Sequence, residues 1–313
     1  MLLYDHPCFL EHETGHHPER AERLRNIARV LQEGGLAGQC RRVVFPPCDR
    51  RRLARVHTPA YIDEIWAFAK TGGGYIEGDT IVSPASYHVA MQAVASVCDA
   101  TERLLRGEDT QALCLVRPPG HHASAQRAMG FCLFNNVAVA ARTAIDELGL
   151  DRVLIVDWDI HHGNGTQAVF WEEPRVGFFS IHRWPFYPGT GERDETGGGR
   201  GLGTTRNLPV PLGISRQDYL RHFTDQLESF ANRIKPQLIF LSAGFDAHRK
   251  DPVGNLGLES EDFIPLTRAV LDVAAVHCGG RLLSVLEGGY HPQVLAECVA
   301  LHLGEMLKQP EAS

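Results

Sequence analysis

The sequence has no apolar run long enough to form a membrane-spanning helix. A spanning helix needs about 20 consecutive apolar residues, and no stretch here approaches that length. The first residues also lack a basic segment followed by a long apolar core, so we expect no secretory signal peptide. These absences predict a cytoplasmic protein that has no membrane partner.

Paired cysteines and long runs of charge are missing as well. The eight cysteines are scattered, and none of them forms a C-x-x-C pair. In a chain of 313 residues, this scatter favours reduced thiols over a disulfide framework. The formal net charge is −7, and the charges are interspersed along the chain. We therefore expect no nucleic-acid partner.

A phosphate-binding glycine loop is also absent. The glycine-rich stretch "TGGGRGLGTT", at 196–205, is not flanked by the strand and helix of a dinucleotide-binding loop. It also lacks the Gly-Lys-Ser/Thr ending of a nucleotide triphosphate loop. We interpret it as a flexible surface loop.

The chain does contain helical patterns that alternate with short apolar runs. One helix is predicted after Pro18 and ends at Gly34, another begins with a capping box at Ser215 and Asp218, and a last one covers roughly 293–307. Continuous apolar runs are typical of strands buried on both faces of a parallel sheet, so the pattern predicts one α/β domain. Five such runs lie at 112–116, 153–156, 176–181, 238–243 and 281–286.

Polar residues follow each of these five runs directly. Ligands of open α/β sheets bind in the crevice at the carboxyl ends of the strands. We therefore expect the polar residues to converge on one site. They are His121, His122, Asp157, Asp159, His161, His162, His182, Asp246, Glu287 and Tyr290.

The stretch "VLIVDWDIHHGNGT", at 153–166, holds the densest group of candidate ligands. Residues two apart on an extended chain point the same way, so Asp157, Asp159 and His161 share one side. Two oxygens and a nitrogen suit zinc or another first-row divalent ion. Asp246 could complete a three-ligand site with an open position for water, or it could simply cap a helix. A single histidine is more often a structural hydrogen-bonding group than a ligand.

Seven motifs resemble the histone deacetylase and acetylpolyamine amidohydrolase superfamily. They are, in chain order, "HHPERAERL", "RPPGHHA", "GFCLFNN", "DWDIHHGNGT", "SIHRWPFYPGTG", "SAGFDAH" and "LEGGY". The asparagine in "HHGNGT" and the motif "EGGY" resemble the sequences of class II enzymes and of their bacterial relatives, the histone deacetylase-like amidohydrolases. The resemblance implies the arginase–deacetylase α/β fold, a single domain over 1–313 whose core lies at about 4–305. A mostly parallel, eight-stranded central sheet flanked by helices belongs to that fold.

The resemblance also implies a site for one zinc ion per chain. The residues that match its ligands are Asp159, His161 and Asp246. Tyr290 matches the tyrosine that stabilises the oxyanion. The implied activity is removal of acetyl or other acyl groups from acyl-lysine side chains, in peptides or proteins, or from similar small acylated amines. Hydroxamate-type inhibitors are expected to bind, and self-association stays open.

The remaining catalytic positions are two histidines, each with one polar partner. His121 and His122 match the tandem histidines of the family, and Asp157 matches the carboxylate that holds the first of them. Asn164 stands beside the second, where other branches have an aspartate. The resemblance implies that the second histidine acts as general base and then as general acid.

Residues that match the walls of the substrate tunnel are Gly130, Phe131 and Tyr187. Asp79 matches, less closely, a rim aspartate that grips the substrate backbone. The family also binds structural potassium through backbone carbonyls. The matching positions are Asp157, Asp159, His161, Ser180 and Ile181, with a second potassium site near Phe170 and Val176.

Three alternative functions stay open from the sequence. The first is acetylpolyamine deacetylation. One branch of acetylpolyamine deacetylases carries a rim glutamate where this chain has Val253, and the apolar residue favours acyl-lysine as the substrate. The nearby Asp251 is expected to fix the adjoining turn. Other polyamine-acting members narrow the entrance by a long loop and dimerisation. A binuclear manganese ureohydrolase would need a carboxylate where His248 follows Asp246. A catalytically dead acyl-lysine reader would have lost a ligand or Tyr290, and all are present.

Overall fold

An eight-stranded parallel sheet runs through residues 1–308, the part of the chain that this computed structural model describes. The strand order is β2-β1-β5-β10-β9-β6-β7-β8, and β3 and β4 form a separate antiparallel hairpin. The predicted α/β fold is confirmed, and within these residues the main sheet is entirely parallel. The strands are β1 (Leu2–Tyr4), β2 (Arg41–Arg42), β3 (Gly74–Glu77), β4 (Thr80–Val82), β5 (Gln111–Cys114), β6 (Val153–Asp157), β7 (Val176–Arg183), β8 (Thr205–Val210), β9 (Ile239–Ala243) and β10 (Leu282–Leu286).

All five predicted apolar runs form strands, and they occupy the middle of the sheet. Every residue of β6, β9 and β10 is buried, as expected for strands covered on both faces. The sequence did not predict β1, β2 or β8. The first two are only three and two residues long, and β8 is an edge strand that contains Pro209.

Helices cover the sheet. α4 packs on α5, whereas α7, α8, α9 and α1 pack on one another in that order. Both α5 and α7 contact β6, which is buried on both faces. None of the helices in residues 1–308 is long and apolar enough to cross a membrane. The helices are α1 (Glu22–Glu33), α2 (Arg50–Leu53), α3 (Pro59–Lys70), α4 (Ser86–Leu105), α5 (Asn136–Asp146), α6 (Asn164–Phe170), α7 (Arg216–Ile234), α8 (Phe263–Cys278) and α9 (Pro292–Met306).

The predicted helix ends are right with one exception. Ser215 caps α7 through the backbone N–H of Asp218, and α1 ends at Gly34 as expected. The start of α1 was predicted too early, because the helix begins at Glu22 and not after Pro18. The intervening residues form a bend that turns the carboxylate of Glu19 into the protein interior, where it binds two arginines.

The glycine-rich stretch at 196–205 is a loop over part of its length, but it contains a 3-10 turn at Gly199–Gly201, its last residue begins β8, and it packs closely on the protein. A Cβ at Gly201 would lie 2.6 Å from the carbonyl oxygen of Trp171, and one at Gly197 would lie 2.2 Å from the carbonyl oxygen of Gly201. Both glycines are buried. Their role is therefore close backbone packing rather than freedom of movement.

The sheet topology brings four polar strand ends together. β5, β10, β9 and β6 are consecutive in the sheet and parallel, so their carboxyl ends meet at one edge. Asp157 lies in register with Ser242 on one side and with Ser180 on the other. The predicted domain range 1–313 includes residues 309–313, which lie outside the described residues.

Candidate active site

Three potential metal ligands face one another at this edge. The side-chain ligand atoms of Asp159, His161 and Asp246 all lie within 4.8 Å of one another, and all three residues are buried. His161 Nδ1 is 3.0 Å from Asp159 Oδ1 and 3.1 Å from Asp246 Oδ2. The three residues predicted from the sequence as ligands are therefore adjacent in space, and Asp246 does not cap a helix.

The surroundings of the two carboxylates suit a bound cation. Gly288 donates its backbone N–H to Asp159 Oδ2, and a Cβ at this glycine would lie 2.2 Å from Asp246 Oδ2. Burial, and then the charge of Asp159, raise the pKa of Asp246 to about 7. Two buried carboxylates that repel one another, together with one imidazole nitrogen, fit zinc or another first-row divalent ion.

His121 is held next to a buried carboxylate. Its Nδ1 lies 3.0 Å from Asp157 Oδ2, and both side chains are buried. Burial lowers the pKa of His121, but the charges of Asp157 and Asp159 outweigh it and raise the pKa to about 10. His121 is therefore a charged imidazolium near neutral pH. Its contact with Asp157 is the pairing that the family resemblance implied.

His122 has a neutral partner instead. Its Nδ1 lies 2.7 Å from Asn164 Oδ1, and an amide oxygen only accepts, so Nδ1–H donates and Nε2 keeps its lone pair. The Asn164 amide nitrogen points to the sulfur of Met129, 3.4 Å away, which agrees with this orientation. Burial, and then the charges of His121 and His161, lower the pKa of His122 well below its usual value. His122 is therefore a neutral base at the site.

Tyr290 supplies a protonated hydroxyl. Its side chain is buried, with the Phe131 ring edge-on at 5.4 Å between centroids and the Arg23 guanidinium 5.0 Å from its ring centroid. Burial, and then the charge of Asp246, raise the pKa of Tyr290 well above its usual value. The hydroxyl therefore stays a hydrogen-bond donor over the physiological range.

Aromatic residues line the approach to these groups. Tyr187 meets the His122 ring edge-on at 5.3 Å between centroids and is 40% exposed, which places it at the mouth. A Cβ at Gly130 would lie 2.3 Å from His122 Cδ2, so only glycine fits against this histidine. Phe131 is the next residue and contacts Tyr290. Phe186 was not predicted as a site residue; its ring stacks on the His161 ring with 5.1 Å between the centroids.

Asp79 also lies near the mouth, in the turn of the β3–β4 hairpin. Burial, and then the charge of Asp79, raise the pKa of Tyr187. The neighbouring Thr80 hydroxyl accepts the backbone N–H of Phe131 at 3.1 Å. The hairpin is therefore attached to the tunnel wall, and the substrate contact of Asp79 stays a prediction.

The other predicted positions lie around the site. Ser180 is in register with Asp157 on the neighbouring strand, and Ile181 is the next residue; Phe170 ends α6 and Val176 begins β7. The potassium sites at these backbones stay predictions.

His162 and His182 have structural partners. His162 binds Thr190 and Gln167, and His182 binds Ser180 and the carbonyl of Gly191. These contacts fix the loop that carries Tyr187.

Sequence reasoning gave no role to Glu287, although it noted its place after a strand. Its carboxylate accepts the backbone N–H groups of Gly120, at 2.7 Å, and of His121, at 3.2 Å, and thus anchors the tandem histidines.

A buried ion cluster in which Arg23 and Arg117 bind Glu19 was also not predicted from the residue types. The only sequence signal was that these residues fall inside the motifs "HHPERAERL" and "RPPG".

Comparison with known proteins identifies the family. Residues 17–306 match the histone deacetylase domain. A probable deacetylase of Archaeoglobus fulgidus is 38% identical over 288 residues, which cover 91% of this chain and 80% of the relative. A histone deacetylase-like amidohydrolase of Pseudomonas aeruginosa is 36% identical over 90% of this chain and 74% of the relative.

Two further relatives are similar over nearly the whole chain. Human polyamine deacetylase HDAC10 is 38% identical over 99% of this chain, although the match covers only 46% of the human protein. The crystal structure of the HDA15 HD domain superposes with a TM-score of 0.90 at 35% identity, covering 98% of this chain and 87% of that one. The chain therefore belongs to the histone deacetylase domain family, whose members are deacetylases and amidohydrolases.

Proposed function

We propose that the protein is a zinc-dependent amidohydrolase that removes acetyl or other acyl groups from acyl-lysine side chains or similar acylated amines. The observation that carries this proposal is the arrangement of Asp159, His161 and Asp246, with a neutral His122 and a protonated Tyr290 on the same edge of the sheet. Amide hydrolysis needs an activated water, an oxyanion stabiliser and a proton for the leaving amine. Each need has a candidate group.

The candidate ligands would hold one zinc ion, which when bound supplies a Lewis acid that polarises the amide carbonyl and makes water more acidic. The chain's own proton carrier is His122. Because its Nδ1–H is donated to Asn164, its Nε2 lone pair is free to take a proton from water and later give it to the leaving amine. His121, charged against Asp157, keeps positive charge beside the developing oxyanion.

Tyr290 donates its O–H to the oxyanion. One such donor is commonly worth ~10²–10³ in rate. Phe131, which contacts Tyr290, and Tyr187, which contacts His122, would hold the aliphatic chain of the substrate between their rings, and hydroxamate-type inhibitors would enter by the same route. We propose structural potassium at the carbonyls near Asp157 and Ser180, which would bind without entering the reaction.

Acetylpolyamine deacetylation is the second candidate, because one relative of this chain is named a polyamine deacetylase. In one branch of acetylpolyamine deacetylases, a glutamate in the rim loop attracts the second, cationic amine of the substrate. The rim loop carries Val253 instead, and the nearby Asp251 uses its side chain to accept the backbone N–H of Val253 and of Gly254. Asp251 is therefore engaged in the turn, which favours acyl-lysine over polyamine.

The two remote alternatives fit the site less well. A binuclear ureohydrolase would need a carboxylate at His248, whose ring instead accepts the backbone N–H of Lys250 and contacts Ser260. A reader without activity would not need a neutral base beside a protonated tyrosine. We also propose a reducing compartment such as the cytoplasm, in keeping with eight free thiols.

Turnover of a fluorogenic acetyl-lysine peptide tests the proposal. We expect chelator-sensitive release of acetate by the wild-type protein, and a loss of at least ~10² in kcat in Tyr290→Phe with hydroxamate binding retained. A loss smaller than tenfold would remove Tyr290 from the oxyanion role. Parallel assays of N-acetylputrescine and N8-acetylspermidine decide the substrate class, and a preference for either polyamine above about tenfold in kcat/KM would overturn the acyl-lysine assignment.

A further inference from the structure

The carboxylate of Asp251 joins two segments that are distant in sequence. Its Oδ1 accepts the backbone N–H groups of Val253 and Gly254, both at 2.9 Å, which fixes the turn expected from the sequence. Its Oδ2 accepts the backbone N–H of Tyr290 at 2.6 Å. The side chain is only 6% exposed. One buried carboxylate therefore holds both the rim loop and the residue proposed to stabilise the oxyanion.

The rest of the segment 287–290 is held by other residues. Arg23 donates to the carbonyls of Glu287 and Gly289, and Asp159 accepts the backbone N–H of Gly288. The peptide N–H of Tyr290 is held by Asp251. Gly289, just before it, has φ +118°, in a region where glycine moves freely. The Asp251 contact therefore fixes the backbone at the point from which the Tyr290 side chain departs.

We propose that Asp251 is a positioning residue, which sets the Tyr290 hydroxyl against the developing oxyanion by holding the Tyr290 backbone. The Tyr290 ring is packed by Phe131 and Arg23, so loss of the backbone contact shifts the hydroxyl without releasing the ring. The inference rests on the proposed role of Tyr290. A small displacement matters because catalytic alignment is steep, and about 1 Å can cost ~10² in rate.

A carboxylate is needed at this position because both of its oxygens accept. An asparagine has one accepting oxygen and one amide N–H₂ group. The amide keeps more bonds when its oxygen faces the two N–H groups of Val253 and Gly254, so its N–H₂ group is set against the single N–H of Tyr290. Asp251→Asn therefore keeps the size of the side chain while breaking one of the two attachments.

The experiment is a double-mutant cycle between Asp251→Asn and Tyr290→Phe, read as kcat and KM for an acetyl-lysine peptide. In the wild-type background we expect Asp251→Asn to lower kcat by at least about tenfold with KM within about threefold. In the Tyr290→Phe background, where no hydroxyl remains to be positioned, the same change should lower kcat less than about twofold. Multiplicative losses would overturn the proposal.

Asp262→Asn is the matched control. Asp262 is 5% exposed and likewise accepts a backbone N–H, that of Glu259, while its other contact is Arg216. We expect kcat to stay within about threefold of wild type. The metal content of each variant is measured as well, because the loop of Asp251 also contacts a proposed metal ligand. The backbone N–H of Asn255, in this loop, donates to the carbonyl of Asp246. A loss of metal in Asp251→Asn would also overturn the proposal, because the effect would then act through the ligand.

Asp251→Glu serves if the asparagine variant fails to fold. It keeps the charge and both oxygens but moves them by one methylene, so we expect a smaller loss in kcat that again disappears in the Tyr290→Phe background. A loss that persists there would overturn the proposal. If Tyr290→Phe alone has little effect, the proposed oxyanion role fails. If it has its full effect and the cycle is multiplicative, only the positioning role of Asp251 fails.

Discussion

The two buried histidines of the site have different hydrogen-bond partners at Nδ1, and exchanging the partner of one of them should move the pH dependence of catalysis. His121 lies 3.0 Å from a carboxylate and its pKa is raised to about 10, although burial opposes the shift. His122 lies 2.7 Å from an amide, and burial lowers its pKa well below the usual value. Asn164→Asp gives His122 the kind of partner that His121 has.

The expected magnitude can be worked out from the distance. An opposite charge within about 4–6 Å changes a pKa by about 1–3 units, and the new carboxylate would replace an amide oxygen that is 2.7 Å from Nδ1. The carboxylate favours the protonated ring, so the His122 pKa rises. Because the neutral ring is the base, the acidic limb of the kcat/KM profile should move upward by about 1–3 pH units.

The assay is kcat/KM for an acetyl-lysine peptide from pH 5 to 9, with near-UV circular dichroism to verify the fold. Asn164→Ala is the control, because it removes the amide without adding charge and should not move the limb upward. An Asn164→Asp limb that coincides with wild type would refute the reasoning, since it would mean that His122 is not the base whose protonation limits the rate.

Four further substitutions test other parts of the structure. Asp159→Ala or Asp246→Ala should each lose bound metal and activity, since two remaining ligands rarely hold zinc tightly; full metal occupancy by elemental analysis would show the ligand assignment to be wrong. Val253→Glu should raise kcat/KM for acetylpolyamines relative to an acetyl-lysine peptide, and an unchanged ratio would mean that this position does not face the entrance. Glu19→Gln should lower the free energy of unfolding by about 3–5 kcal/mol in urea titrations, because it leaves the buried Arg117 without its charge partner; a loss below about 1 kcal/mol would contradict this. Arg117 outweighs burial and depresses the Glu19 pKa to about 2, so wild-type stability from this pair is present above pH about 4.5 and is lost as the pH falls towards 2.

The central strands and the site residues were predictable because each carries its own local signal. Continuous apolar runs such as 153–156 mark buried parallel strands, and the topology of such a sheet places the residues after each strand at one edge. Because Asp157, Asp159 and His161 follow one another at intervals of only two residues, these candidate ligands could be grouped without knowing the conformation of the loops between strands.

The features that escaped sequence analysis depend on distant partners. Strands β1 and β2 are too short to show a period, and they form because β1 pairs with β5 and β2 pairs with β1. The bend at Glu19 replaces the expected start of a helix because Arg117, almost a hundred residues away, binds its carboxylate. The second contact of Asp251 also spans two segments, so the turn at 251–254 was predictable and the attachment to Tyr290 was not.

The measurement that bears most directly on the proposed mechanism is a zinc titration of chelator-stripped protein, with turnover of an acetyl-lysine peptide followed at each addition. The ligands proposed for zinc, Asp159, His161 and Asp246, form a single three-residue group. We therefore expect activity to be absent without metal, to rise in proportion to added zinc and to level off at about one equivalent per chain. Full activity in the stripped protein, or a break at about two equivalents, would contradict a mononuclear zinc amidohydrolase.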